Sequence, residues 1–445
     1  MSCKSFVVAT LWLITAAVSV VQAADKSEVK TTDNINALLP LKDLQLFTKV
    51  FDHIRKAYVN PVTDEELLEN AIKGMLSELD PHSSYLDKNS FTDLQVKTKG
   101  EFGGLGIEVS SENGFVKVVT PIDGTPAASA GVLPGDLIIQ LDKKTLKGLS
   151  LEEAIQKMRG PKGSSVILTI IREGSKQPLN ITIVRDTIKV DSVRSDMLDE
   201  NYAYIRIAQF QSKTGNDFVN ALKKLSEQNP NLEGIVLDLR NNPGGVLQAS
   251  VEVVDALMSE GLIVYTKGRL DKATNEYHAD SGDHTNGLPL VVLINDGSAS
   301  ASEIVAGALQ DQGRAVIMGT RTFGKGSVQT VIPLSDEKAI KLTTALYFTP
   351  SGRSIQAQGI EPDITVERAR FTQINPNAKV GEADLNGHLK NTTSKKEVTA
   401  VDKLKSTISP RLVEDNQLYA ALNLLKGLKV FDRRQSKSVI VDPVE

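Results

Sequence analysis

Residues 295–310, NDGSASASEIVAGALQ, follow an apolar run that ends at Ile294, and a helix opens near Ser300. A serine at a strand-to-helix turn can present its hydroxyl while the next backbone N–H faces an oxyanion. The same residues have a second reading. Ser300 and Glu303 have capping-box spacing, which needs no chemistry. Ser298 and Ser302 are alternative nucleophiles. Ser302 lies roughly 200° around the helix from Ser300, so the two cannot face one site.

A second segment is RTFGKGSVQTVIPL, residues 321–334. Lys325 stands between Gly324 and Gly326, where the backbone can approach closely. Alternate residues of a strand share a face, so Lys325, Ser327 and Gln329 point the same way, and Gln329 could hold the lysine amine by a hydrogen bond. An exposed loop lysine is the plain alternative. Gly319 to Lys325 also fits the first seven places of a phosphate-binding loop. That match breaks at Gly326, where Ser or Thr should hold magnesium. It breaks again downstream, where a period-two run reaches Pro333 and no helix follows.

The third segment, LRNNPGGVLQ at 239–248, turns from strand to helix through Pro243-Gly244-Gly245. Small residues there leave amide N–H groups free at a helix start, an anion site or simply a tight turn. None of the five histidines, His53, His82, His278, His284 and His388, ends a core strand. A Ser-His-Asp triad therefore lacks a candidate, and the histidines do not pair at metal-ligand spacing. No cofactor is expected.

Gly103-Gly104-Leu105-Gly106-Ile107 stands just before a strand. Its glycines could aim several N–H groups at a carboxylate, and a helix at 150–158 could form the far wall of a groove. An extended peptide would add there as a strand, with Leu105, Ile107, Ala154 and Met158 around its last side chain. A glycine turn over an ordinary core fits the same spacing. Arg159 and Lys162 follow the helix and could report occupancy to a neighbouring domain, or merely compensate the helix dipole.

These segments need a scaffold. Residues 41–58 carry Leu44, Phe47, Val50, Phe51, Ile54 and Tyr58 at helical spacing. A second helix, capped by Thr63 with Glu66, has Leu67, Leu68, Ala71, Ile72, Met75 and Leu76 on the face expected to be buried. Residues 98–187 hold short β-rich runs separated by glycine and proline turns. Residues 200–365 alternate strands and helices, which implies a mostly parallel sheet. Within them, 267–287 reads as a polar insert. Residues 370–410 are polar and lysine-rich, and 413–428 regain helical spacing.

With 445 residues, about three domains are expected. Fifty-one basic against 55 acidic residues, a net charge of −4, offer no footprint of nucleic-acid binding. Cys3 is the one cysteine, so an intrachain disulfide is excluded. Lys4, the apolar run 6–21 and the small residues before Ala24 form a signal-peptide pattern with cleavage after Ala23. An uncleaved anchor is the alternative.

The stretch from Gly103 to Arg185, with GGLGIEV and GVLPGDLIIQLD, resembles a PDZ domain of the type found in bacterial proteases. LDPHSSYL, YIRIAQF, LDLRNNPGG, GSASASEI, RTFGKGSVQ and TPSGRSIQ-Q-GI-PDI, in this order, resemble the C-terminal processing (tail-specific) peptidases, serine proteases with a serine–lysine dyad. The resemblance implies a multidomain α+β protein. A helical N-terminal region (24–97) follows the signal peptide (1–23), then come a PDZ domain (98–187), an α/β crotonase/ClpP-like protease core (188–369) and a linker with a C-terminal helical segment (370–445). It implies Ser300 as nucleophile, Lys325 as general base and Gln329 as the residue orienting the lysine. Gly244 or Gly245, with Ala301, matches the oxyanion-hole positions. It further implies a periplasmic endopeptidase acting on exposed C-terminal tails, with a resting form whose dyad is misaligned and, in some members, an adaptor lipoprotein. Self-association through the terminal helices is expected. An idle PDZ scaffold or chaperone is the competing class.

Overall fold

The computed structural model describes residues 40–370, apart from 113, 123 and 281, and then 382, 385–389, 412 and 414–438. The signal-peptide pattern and most of the polar segment 370–410 lie outside the described residues. The chain divides into two compact units, 1–70 and 71–445.

In the first unit, α1 (Leu41–Ala57) carries Arg55 and Lys56 in its last turn, both paired with Asp52. Leu44, Phe47, Val50 and Ile54 are exposed along it. Thr63 Oγ1 accepts the Glu66 N–H and starts α2 (Asp64–Ser77), which runs across the division. Of the six apolar residues expected to be buried on α2, only Leu76 is; Leu68 and Met75 are exposed. Two short helices bury too little surface to make a core of their own.

The second unit begins with β1 (Ser84–Leu86) and α3 (Lys88–Lys99), capped by Asp87, whose carboxylate accepts the Ser90 N–H. Next comes a β domain. β2 (Glu101–Gly104) pairs antiparallel with β9 (Asp186–Lys189). Between them, β3 (Ile107–Glu112), β4 (Phe115–Pro121), β5 (Leu137–Leu141), β7 (Ser165–Ile171) and β8 (Leu179–Val184) form one antiparallel sheet, with β6 (Lys144–Thr145) on β5. The helices α4 (Pro126–Ser129) and α5 (Leu151–Met158) cover it. Ser150 and Glu153 close a capping box on α5. Val118, Ile138, Leu168 and Ile170 fill the core because they alternate inward along their strands.

The α/β domain is built on six strands in the order β10 (Val193–Asp199), β11 (Tyr202–Ile207), β12 (Gly234–Asp238), β15 (Leu290–Ile294), β16 (Val316–Gly319) and β19 (Ile364–Thr365). All neighbours are parallel except β10, which runs against β11. The helices α6 (Thr214–Gln228), α7 (Leu247–Asp255) and α8 (Ala301–Asp311) share one core with this sheet, and α9 (Asn416–Ser438) packs on its other face through Leu418, Leu422 and Leu425. β12 and β15 are buried at every residue, as strands covered on both faces must be. A second sheet, β1–β18–β13–β14 with β17 on β18, uses β13 (Gly261–Gly268), β14 (Asn275–Ala279), β17 (Ser327–Pro333) and β18 (Ala339–Phe348). The stretch 267–287 is thus more than a polar insert, since it contains β14. Ala301 to Leu309 are all buried, so α8 is enclosed on every side, and its small residues let neighbours close in.

Candidate active site

Ser300 ends the turn from β15 to α8 with φ 56° and ψ −113°, a conformation that side-chain-bearing residues rarely adopt. The turn is locked from both sides. Ser298 Oγ donates to the Leu239 carbonyl at 2.8 Å and accepts the Asn295 N–H at 3.0 Å. Ser302 Oγ donates to the Asn242 carbonyl at 2.9 Å. Both serines are fully buried and committed, which leaves Ser300 as the hydroxyl of this turn that lines a cavity of about 420 Å³.

The glycine turn 239–246 borders the same cavity. Phe210 N–H donates to the Gly244 carbonyl and Val246 N–H to the Phe210 carbonyl, each at 2.9 Å. A Cβ on Gly245 would stand 2.0 Å from the Phe210 carbonyl oxygen, and one on Gly244 would stand 2.8 Å from Ser300 Cβ. Glycine is therefore demanded twice, by the close approach of neighbouring backbone. The two glycines differ in one respect. Gly244 N–H donates to Asn242 Oδ1 at 2.9 Å. Among the described residues, the N–H groups of Gly245 and Ala301 have no acceptor. Of the two candidates, Gly245 is the one whose donor is free to meet an oxyanion.

Lys325 reaches the cavity from a loop hung on Glu303. That carboxylate, wholly buried on α8, accepts from Thr322 Oγ1 (2.6 Å) and Gly324 N–H (2.7 Å) on Oε1. Its Oε2 accepts from Ser300 N–H (2.7 Å) and Lys325 N–H (2.9 Å). The capping carboxylate read from the sequence is thus present and also braces the lysine loop. Burial lowers the Lys325 pKa below the ordinary lysine value, and the Lys341 ammonium lowers it further; the carboxylates of Glu303 and Asp80 oppose this. His82 is near enough to be shifted as well. Burial first, then Lys325 and Lys341, hold its imidazole below its usual value.

Gln329 behaves differently from expectation. It shares a face with Ser327, but its amide donates to Ser327 Oγ at 2.9 Å and lies 3.4 Å from Thr343 Oγ1, not against the Lys325 amine. A bulge between Val328 and Gln329 breaks the register with β18. Thr343 is itself fixed, donating to Asp80 Oδ1 at 3.1 Å. Among the described residues the Lys325 amine donates no hydrogen bond. Sequence reasoning also missed Tyr347. Its wholly buried phenol, held protonated by burial and by Glu303, donates to the Lys325 carbonyl with the Ser300 hydroxyl beside it. No local pattern marks a β18 tyrosine that meets a loop 22 residues earlier.

Family models match peptidase family S41 at residues 201–366, a PDZ domain at 117–172 and the activating protease CtpB N-terminal domain at 4–90. The carboxy-terminal-processing protease of Bartonella bacilliformis is 49% identical over 87% of this chain and 89% of its own length. This chain belongs to the carboxy-terminal-processing proteases of peptidase family S41. The carboxyl-terminal-processing protease of Synechocystis is 39% identical, over 74% of this chain and 78% of that protein. Among solved structures, the photosystem II D1 C-terminal processing protease is 31% identical with a TM-score of 0.45, covering 73% of this chain and 92% of that one.

The PDZ domain of this S41 peptidase uses the residues proposed for tail binding in two ways. Gly103 and Gly104 pair with Thr187 and Asp186 on β9, and Gly103 also accepts the Gly160 N–H at 3.1 Å. Gly106 turns the chain at φ 77° before Ile107 opens β3. Leu105, Ala154 and Met158 are buried in the PDZ core and Ile107 packs against it. Arg159 does more than neutralise the end of α5. Its guanidinium bonds Asp93 at 2.5 Å and lies over the Phe102 ring, while Gln156 adds a 3.2 Å bond to the same carboxylate. Asp93 precedes Leu94 on α3, and Leu94, Lys97 and Thr98 line the Ser300 cavity. Among the described residues, no group of His, Cys, Asp and Glu could hold a metal.

Proposed function

We propose that this protease is an exported, periplasmic serine endopeptidase. It grips exposed C-terminal tails in its PDZ domain and cleaves the chain through an acyl-enzyme on Ser300. The observation that carries the reading is the sharing of one cavity by the Ser300 hydroxyl, the Lys325 amine and the undonated Gly245 and Ala301 N–H groups. Neutral Lys325 takes the Ser300 proton as the hydroxyl attacks the peptide carbonyl, and the two N–H groups hold the oxyanion. Lys325 then protonates the departing amine, and a water repeats the sequence on the ester. A lysine must be uncharged to act as this base, and the burial of Lys325 works in that direction.

Gln329 turned to Ser327 and Thr343 fits a resting arrangement. In the working state its amide would leave these partners and orient the Lys325 amine. Arg159, bonded to α3, is the route by which tail binding in the PDZ domain would reach the cavity wall. The α/β domain is read as a crotonase/ClpP-like core. The exposed apolar face of α1 favours self-association, and an adaptor lipoprotein is a further partner of the kind this family uses. No cofactor is required.

The test is incubation of the purified chain with a disordered protein, intact and lacking its last few residues. Cleavage should favour the intact substrate. Ser300→Ala and Lys325→Ala should abolish it while tail binding survives, and a slow ester substrate should leave acyl mass on Ser300. Full proteolysis by either variant would overturn the dyad, and absence of cleavage by the wild type would leave an idle tail-binding scaffold.

A further inference from the structure

The cavity around Ser300 is lined by three lysines and by no aspartate or glutamate. One is Lys325. The others, Lys97 and Lys341, approach from opposite origins. Lys97 is on the last turn of α3, which is anchored where Ser212 N–H and Oγ donate to the Thr98 carbonyl. Lys341 is on β18, facing Ser84 on one side and Val331 on the other. Among the described residues neither forms an ion pair. The two nearby acids are already engaged: Glu303 accepts from the Ser300, Gly324 and Lys325 N–H groups and the Thr322 hydroxyl, and Asp80 from the His82 and Ser83 N–H groups and the hydroxyls of Ser83 and Thr343. The rest of the wall is largely apolar, including Leu94, Leu247 and Val331. A one-signed charge set on low-dielectric walls focuses its potential into the cleft, even in a chain whose net charge is −4. Two unpartnered ammonium groups beside a peptide-cleaving centre are a counter-charge awaiting a ligand.

We infer that Lys97 and Lys341 form a subsite for a substrate carboxylate, so that this protease prefers peptides carrying a negative charge close to the scissile bond. The inference rests on the Ser300–Lys325 reading and adds a substrate class to it. Two sources can supply that group, an acidic side chain near the bond or the free C-terminal carboxylate of a short tail.

The experiment uses the purified chain and matched peptides in two arms. The first scans a single Gln→Glu change across the positions flanking the scissile bond, in a peptide whose C-terminus is amidated. The second compares free acid with amide in the all-Gln peptide. Each is repeated with Lys97→Gln and Lys341→Gln, after thermal melts show that both variants fold. The quantity read is the ratio of kcat/KM between charged and neutral peptides of one pair, so an overall change in rate cancels. An ammonium–carboxylate contact at the mouth of a cleft is worth about a five-fold preference. That preference should fall towards one in the lysine variants, and in the wild type it should shrink as salt is added. The arm in which the lysine-dependent ratio occurs identifies the source. A ratio near one in both arms, or a preference unchanged by both substitutions, overturns the subsite while leaving the dyad standing. Absence of any cleavage overturns the dyad and the subsite together.

Discussion

Ser300 and Lys325 hang from one carboxylate oxygen. Glu303 Oε2 accepts the Ser300 N–H at 2.7 Å and the Lys325 N–H at 2.9 Å, while Oε1 holds Thr322 and Gly324. The proposed nucleophile and base, 25 positions apart, are thereby registered through a group that itself lies off the reaction path. Glu303→Gln presents an NH2 to two donors and leaves them buried without acceptors, at about 1–3 kcal/mol each. The expected result is a lower melting temperature and kcat reduced about tenfold or more. A second readout separates charge from scaffold. Glu303 favours the protonated lysine, so its neutralisation should move the remaining activity profile to lower pH. A loss of rate with an unmoved profile would make Glu303 a purely structural brace.

Activity of the wild type should rise with pH through an apparent pKa below the ordinary lysine value, because burial and the Lys341 charge both disfavour ammonium at Lys325. Lys341→Gln removes one of these influences. Glu303 and Asp80 then act against fewer cations, and the rise should shift to higher pH. His82, whose pKa Lys341 also lowers, should respond in the same sense, its own pKa relaxing upward. Profiles of kcat for a neutral peptide, where chemistry limits the rate, decide the point.

The same burial makes Lys325 costly to the fold. Its folded-state pKa lies below its unfolded value, so between the two the unfolded chain binds more protons, and stability rises with pH. Below the folded pKa the full penalty is present, and above the unfolded value, about 10.4, it vanishes. Lys325→Met should therefore raise the melting temperature at pH 7 and raise it less near pH 10. Equal gains at both values would show that the lysine is not destabilised by its charge.

Much of this architecture could be read from residue periodicity, and the omissions share a cause. The central parallel strands are buried at every position and mostly apolar, so runs such as GIVLDL and LPLVVLI are conspicuous. β14, NEYHA, hides in a polar stretch because only Ala279 of its five residues is buried. β10, VRSDMLD, carries charges on an edge strand and has weak patterning. At the site, residue types and order pointed to Ser300, Lys325 and the glycine turn. Side-chain direction was not legible. Where the Gln329 amide points depends on Thr343, and Thr343 depends on Asp80, 263 positions away. Capping-box spacing identified Glu303, but its hold on the lysine loop needs a tertiary contact that local spacing does not encode. On α2, helical spacing correctly marks one apolar face, yet spacing carries no information about whether anything covers Leu68 and Met75.

A buried ion network fixes α9 to the sheet that carries the glycine turn. Arg240 bonds Asp238 at 2.7 Å and Asp415 at 2.6 Å, and Tyr204 donates to Asp238 at 2.8 Å. Burial alone would raise both carboxyl pKa values; the Arg240 bonds override it and hold them below the usual range. Their contribution is present above the unfolded carboxyl pKa and is lost as pH falls through the folded values. Asp415→Asn should lower the melting temperature at pH 7, and the gap from wild type should narrow as both proteins are acidified below about pH 4. Because Arg240 lies four residues before Gly244, kcat should fall along with stability. A pH-independent gap would place the loss in packing instead of charge.

Arg159 and Asp93 join the PDZ helix α5 to α3, the helix that supplies Leu94, Lys97 and Thr98 to the cavity. Their side chains are about three-tenths exposed, so the pair contributes modestly to stability, on the order of 1 kcal/mol or less. Its consequence for coupling is larger. If tail binding shifts α5, this bond transmits the shift to the cavity wall; without it the PDZ domain could grip a tail and leave the wall unmoved. Arg159→Ala and Asp93→Ala should each preserve tail affinity while reducing the ratio of kcat with a gripping tail to kcat without one. The double variant should be no worse than either single one, because both remove the same link. Additive losses in that cycle would mean that the two residues act separately, and an unchanged ratio would mean that α3 does not carry the signal.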